Sequence, residues 1–106
     1  MKTKFVVVLT MCASRPAAAR ITNSLLKKRL IACANVIPGA ESKFWWRGKI
    51  ETAREVMVIM KADNKNFKRI EKEIKRLHGY EIPEIIALPI SSGSKDYLKW
   101  ISTSGQ

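Results

Sequence analysis

The side chains best suited to bind metals are few in this chain: two cysteines, Cys12 and Cys33, and a single histidine, His78. His78 opens the stretch His-Gly-Tyr-Glu-Ile-Pro-Glu, which places Glu81 and Glu84 close behind it. An imidazole followed by carboxylates suits copper or zinc. A closed zinc site needs four ligands at short spacings, and neither Cys-x-x-Cys nor His-x-x-x-His occurs. The competing reading of His78 is structural. It falls in the last turn of a charged helical stretch, where a basic side chain complements the helix dipole by about 0.3–1 kcal/mol.

The cysteines do not form a disulfide framework. Cys12 lies in "MCASRP", where a first strand gives way to a loop, so a partly exposed thiol is expected. A soft-metal site of the copper-chaperone type needs a second cysteine after two intervening residues, and Arg15 stands there instead. Cys33 lies in the small apolar run "IACANVI", which predicts a buried, inert thiol. There is no glycine-rich phosphate loop, no Ser/His/Asp order and no acid pair with an evident task, so no catalytic residue is named and the protein is not expected to be an enzyme.

The elements that must position these groups are legible in the hydropathy pattern. The 106 residues, 46% of them apolar, predict one globular domain spanning 1–106. No run approaches the ~20 apolar residues of a membrane span. The start "MKTKFVVVLTMCASR" resembles a signal sequence, but its apolar run is short and reads better as a buried strand, so the expected location is the cytoplasm. "KFVVVLTM" has the pattern of a central strand covered on both faces. "SRPAAARITNSLLKKRL" reads as a helix capped by Ser14, with Pro16 in its first turn and Ala18, Ile21 and Leu25 on one face. Lys27, Lys28 and Arg29 complement its C-terminal end. "PG" at 38 and 39 bends the next strand, and "RGK" at 47 to 49 marks a hairpin tip or bulge. Val56 to Met60 form a strand apolar on both faces. "DNKNFKRIEKEIKRLHG" is a helix capped by Asp63 or Asn64 and ended by Gly79. "IPEIIALPI" reads as a strand, and "KDYLKWIS" as a short helix before a frayed tail.

This β-α-β-β-α-β order with a C-terminal helix predicts an α+β, ferredoxin-like sandwich: one mixed four-stranded sheet with two helices on one face. Apolar residues on both faces of the middle strands, and Phe44, Trp45 and Trp46 near a hairpin tip, point to an oligomer that covers the open sheet face. Trp46 is read as a packing anchor. Trp45 is left between packing and ligand stacking. The net charge of +11 is spread along the chain rather than gathered in a basic arm. "REVMVIMK" also lacks the aromatic signature of an RNA-recognition sheet, so no specific nucleic-acid binding is expected. Non-specific electrostatic binding at low salt stays open.

Three ordered motifs resemble the CutA family of divalent-cation tolerance proteins. "ACANVIPGAESKFWWRGKI" matches the family's Ala-Cys-x-Asn segment and its continuation through Pro-Gly and Trp-x-Gly, placing Cys33, Asn35, Pro38, Gly39, Ser42, Trp46, Gly48 and Ile50. "HGYEIPEIIALPI" matches through His78, Tyr80, Pro83 and Glu84, and "YLKWI" resembles the terminal Tyr-x-x-Trp. Phe44 stands where the family often has tyrosine, Arg47 replaces a frequent acid, and Gly79 a common proline. The resemblance implies a homotrimer akin to the PII signalling proteins and a role in tolerance of copper and other divalent metals. It implies clefts between subunits lined by Cys33, Trp46, Lys61, His78, Tyr80 and Glu84. The expectation is therefore divalent-metal binding, copper(II) foremost, with His78, Cys33 and Glu84 as ligands and Lys61, Tyr80 and Trp46 lining the cleft. The metal is not required for folding. The alternative is a PII-like signalling trimer that takes a small ligand or partner protein and no physiological metal.

Overall fold

The computed structural model describes residues 4–104, ordered as β1 (Phe5–Cys12), α1 (Arg15–Lys27), β2 (Cys33–Trp46), β3 (Lys49–Asp63), a 3-10 turn (Asn64–Asn66), α2 (Phe67–Leu77), β4 (Ile86–Pro89) and α3 (Lys95–Ser104). The four strands pair in the order β2-β3-β1-β4. Every neighbouring pair is antiparallel, not mixed as the sequence suggested. α3 runs on through Thr103 and Ser104, where a frayed tail was expected, and the rest of that tail lies outside the described residues.

β1 shows how a uniformly apolar strand is sorted. Val6, Val8, Thr10 and Cys12 are buried, while Phe5, Val7, Leu9 and Met11 between them are only half covered. The buried set faces α1 and α2 and joins Val58, Met60, Ile21, Leu25, Ile70 and Ile74 in one core. Cys12 is fully buried, which corrects the exposed thiol expected from the sequence. The strand continues one residue further than its composition signals, and parity turns that residue inward. α3 lies on the opposite face. Its Tyr97 meets Cys33, a register partner of Lys61 on that side, and its buried Ile101 stands outside the helix-side core.

The helices begin and end by local chemistry. Ser14 caps α1, accepting from the Ala17 N–H at 3.2 Å. At its other end Arg29 takes φ 58°, the Arg29 N–H bonds the Leu26 carbonyl, and the Leu30 N–H bonds the Leu25 carbonyl. That is a Schellman closure with arginine in the place glycine usually fills. Asp63 caps the 3-10 turn through the Lys65 N–H. Gly79 does not end α2 in a left-handed cap. His78 ends it by turning extended, at φ −76° and ψ 142°.

Glu73 ties α2 to α1. It is buried, yet Arg76, Lys28 and the Ser24 hydroxyl all reach its carboxylate. The Arg76 hydrogen bonds foremost, then Ser24 and Lys28, hold its pKa far below the ordinary 4.5. A depressed folded pKa gives stability that is present above the ordinary value and lost as pH falls below it. The melting temperature is therefore expected to fall as pH drops below about 4.5, and the fall should be shallower in Glu73→Gln. Equal acid sensitivity in the two proteins, measured by thermal denaturation, would refute this role for Glu73.

The β2–β3 hairpin outruns the rest of the sheet. β1 ends at the Cys12–Val56 pair, while β2 and β3 stay paired out to Trp46 and Lys49. A bulge between Ile37 and Ala40, with Gly39 at φ 86°, re-aims the outer half, and Arg47 and Gly48, both at positive φ, close a two-residue turn. The radius of gyration is 14.3 Å, against about 13 Å for a compact chain of this length. The molecule thus carries a two-stranded arm.

Candidate functional site

The arm and the segment after α2 enclose a cleft of about 820 Å³. Its floor is the open sheet face, through Met11 and Met57. Phe44 and Trp46 line the arm side, and Tyr80, Glu81 and Glu84 come from the loop between α2 and β4. Glu51 and Glu55 add two more carboxylates from β3. Four of the chain's nine acidic residues therefore border one concavity in a protein of net charge +11.

His78 holds the loop in place. Its Nε2 lies 2.7 Å from the Met11 carbonyl, which can only accept, so Nε2 carries the proton. The Tyr80 N–H then donates to Nδ1 at 3.1 Å. Both ring nitrogens are engaged, and the imidazole is stationed against β1 rather than against the helix end that the sequence suggested. The tilted Tyr80 ring stands 4.8 Å away, and its hydroxyl donates to Glu55 Oε2 at 2.6 Å. Burial first, then the Glu55 hydrogen bond and charge, push the Tyr80 phenol well above its ordinary pKa. Tyr80 therefore stays a hydrogen-bond donor across the physiological range. Burial also raises the Cys12 thiol, and the negative Glu55 adds to it. At the cleft's outer end Arg47 lies over the Trp46 ring and reaches Glu81 at 3.4 Å. Both partners of that ion pair are exposed, so it is worth little in stability.

The other two sequence candidates lie elsewhere on the chain. Cys33 pairs in register with Lys61, which pairs with Val7, four residues along β1 from Met11. That separation is about 13 Å at the usual rise of a strand. There the Lys61 ammonium donates to Asn35 Oδ1 at 2.6 Å, and Cys33 Sγ lies 3.6 Å from the Tyr97 hydroxyl. The thiol contact pushes the Tyr97 phenol upward. Cys33 is half-buried, not enclosed as expected. The structure thus gathers Glu84, Tyr80 and Trp46 at the cleft, puts His78 behind them, and leaves Cys33 and Lys61 apart. Among the described residues no three His, Cys, Asp or Glu side chains converge as a metal ion would require. Glu51 and Glu55 were missed by sequence reasoning. The available signal was parity: Glu55 shares its side of β3 with Met57, Ile59 and Lys61.

Comparison with known proteins follows the same outline. Residues 6–104 match the family model described as CutA1 divalent ion tolerance protein. The divalent-cation tolerance protein CutA of Pectobacterium atrosepticum is 39% identical over 99 residues, covering 93% of this chain and 90% of that one. The rice protein CutA 1, chloroplastic, is 36% identical over 93% of this chain, which spans 56% of the relative's length. The solved periplasmic divalent cation tolerance protein CutA of Archaeoglobus fulgidus superposes with a TM-score of 0.93 at 38% identity, covering 96% of this chain and 99% of that one. These names place relatives in the chloroplast and the periplasm. Among the described residues no helix is long and apolar enough to cross a membrane.

Proposed function

This chain belongs to the CutA1 divalent ion tolerance family, and we propose that it is a cytoplasmic homotrimer that binds divalent cations, copper(II) foremost, in clefts between its subunits. The observation that carries this reading is the gathering of Glu51, Glu55, Glu81 and Glu84 around one cleft of a strongly basic protein. Carboxylate oxygens suit divalent ions. Since no three ligands converge among the described residues, this reading has a neighbouring subunit complete the set. Cys33 would enter from that neighbour, and His78 would exchange one of its two hydrogen bonds for the metal. Assembly is supported by the projecting arm and by exposed Phe44, Trp45, Ile50, Ile86 and Leu88, all of which an isolated chain leaves in water. The output of binding is tolerance or signalling, not chemical turnover.

Calorimetric titration of chelator-stripped protein with Cu²⁺ tests the reading. Saturable binding at a fixed ratio per subunit is expected, weakened at least about tenfold (about 1.4 kcal/mol) in Glu84→Gln, His78→Ala and Cys33→Ala. His78→Ala should keep the oligomer intact. Weak binding untouched by all three substitutions would sink the metal site. A second reading then takes its place, that of a PII-like trimer holding a small ligand. The cleft volume and its Met11, Met57, Phe44 and Trp46 lining favour it, since a cleft of this size and character suits an organic molecule.

A further inference from the structure

The cations that are scattered in sequence are gathered by the fold. Residues 15–29 hold Arg15, Arg20, Lys27, Lys28 and Arg29 and no acid. Residues 64–77 hold six more cations, from Lys65 to Arg76, against two acids. Five cations, and six less two acids, leave a surplus of nine of the chain's eleven net charges on one helical layer. All eleven of these side chains are exposed.

Structural need accounts for only part of this charge. Glu71 pairs with Lys75, and Glu73 with Lys28 and Arg76. Among the described residues, the other eight cations form no ion pair. Neither helix has an acid in its first turn, where a carboxylate would favour the dipole. α1 places Arg15 there instead. The charge is thus carried at some cost in self-repulsion.

We infer that the outer face of α1 and α2 is a docking surface for the phosphate backbone of duplex DNA, bound without regard to sequence. Helices of 13 and 11 residues are about 20 and 17 Å long, and packed neighbours lie about 8–10 Å apart. Such a platform lets lysines and arginines reach both strands of a duplex laid across it. The contacts on offer are phosphate contacts, which position and attract but carry no sequence information. No aromatic is exposed on this layer to stack on single-stranded bases. Leu26 is its one large exposed apolar side chain among the described residues, too little to insert into a lipid surface. The acidic cleft and the apolar arm lie on the other face of the sheet, so the surface is independent of the cation-binding reading.

The test is fluorescence anisotropy with a labelled mixed-sequence duplex of about 20 base pairs, titrated between about 50 and about 200 mM salt. Wild-type protein should bind with an affinity that falls steeply with salt. The triple variant Arg20→Glu, Lys68→Glu and Lys72→Glu should lose at least about tenfold, and its logarithmic salt slope should drop by about 2.7 if each cation meets one phosphate. The triple Lys49→Glu, Arg54→Glu and Lys95→Glu has the same net charge and should stay within about threefold of wild type. Circular dichroism checks that both variants fold. The glutamine counterparts of the first triple serve if the reversals do not. Equal losses in both triples, no duplex binding at the lowest salt, or binding to phosphatidylserine vesicles in preference to duplex would each overturn the proposal.

Discussion

A Tyr80→Phe variant is expected to lose about 1–3 kcal/mol of stability while keeping its secondary structure. The phenol donates to Glu55, a carboxylate left only 7% exposed, across 25 residues of sequence. Removing the donor leaves the acceptor in place but without that partner, the costly half of a broken pair. The variant should also change the alkaline limb of the stability profile. A folded pKa raised by burial gives stability that is present below the ordinary value and lost as pH rises above it. Wild-type stability should therefore begin to decline above about pH 9.0, where the unfolded Cys12 thiol ionises, and steepen above about 10.0, where the unfolded Tyr80 phenol does. Tyr80→Phe should lose Tyr80's share of the second portion and keep the share that Tyr97, whose phenol is also raised, contributes. Urea denaturation from neutral to alkaline pH reads both effects, and an alkaline limb identical to wild type would show that Tyr80 does not titrate with unfolding.

The second large effect concerns assembly. Ile59 sits between Leu9 and Asn35 on the open sheet face, where the strands offer half-covered apolar side chains and α3 shields only one end. Ile59→Asp puts a carboxylate in the middle of the face that the proposed trimer would cover. Desolvating an unpaired charge costs several kcal/mol per ion, and symmetry repeats that cost at every copy. On the proposed trimer, light scattering should give a particle of one third the wild-type mass. A variant that keeps the wild-type mass would mean that the subunits meet elsewhere, on the arm or at the β4 edge.

Local chemistry was readable from the chain itself. Ser14 before Arg-Pro, the Pro38–Gly39 bend and the Arg47–Gly48 tip depend on neighbours a few residues away, and each is found where its residue types require. Contacts between distant residues were not readable. His78 meets a carbonyl 67 residues away, a partner with no side-chain signature at all. Tyr80 and Glu55 lie in different motifs. Four carboxylates spread from Glu51 to Glu84 border one cleft only because β3 and the loop after α2 run along it. The basic surface escaped notice for the same reason: even spacing in sequence becomes one face when two helices lie side by side. Cys12 and Gly79 were misplaced by one structural step each, the first by a strand that runs to its last residue, the second by an extended turn at His78.

The β2–β3 arm also bears on the order in which the chain acquires its shape. Trp46 and Lys49 are three residues apart, and pairing can run from them back to Cys33 and Lys61 with no long loop to close. Hairpins of this kind form within about 1–10 microseconds. Val6 must find Pro89, 83 positions away, before β4 joins the sheet. Entropy puts that closure late. The long ribbon is therefore the natural first structure, and it is born with Phe44, Trp45, Trp46 and Ile50 unshielded. Until the sheet closes, these residues are the chain's main route to aggregation. High concentration during refolding is thus a hazard to the chain.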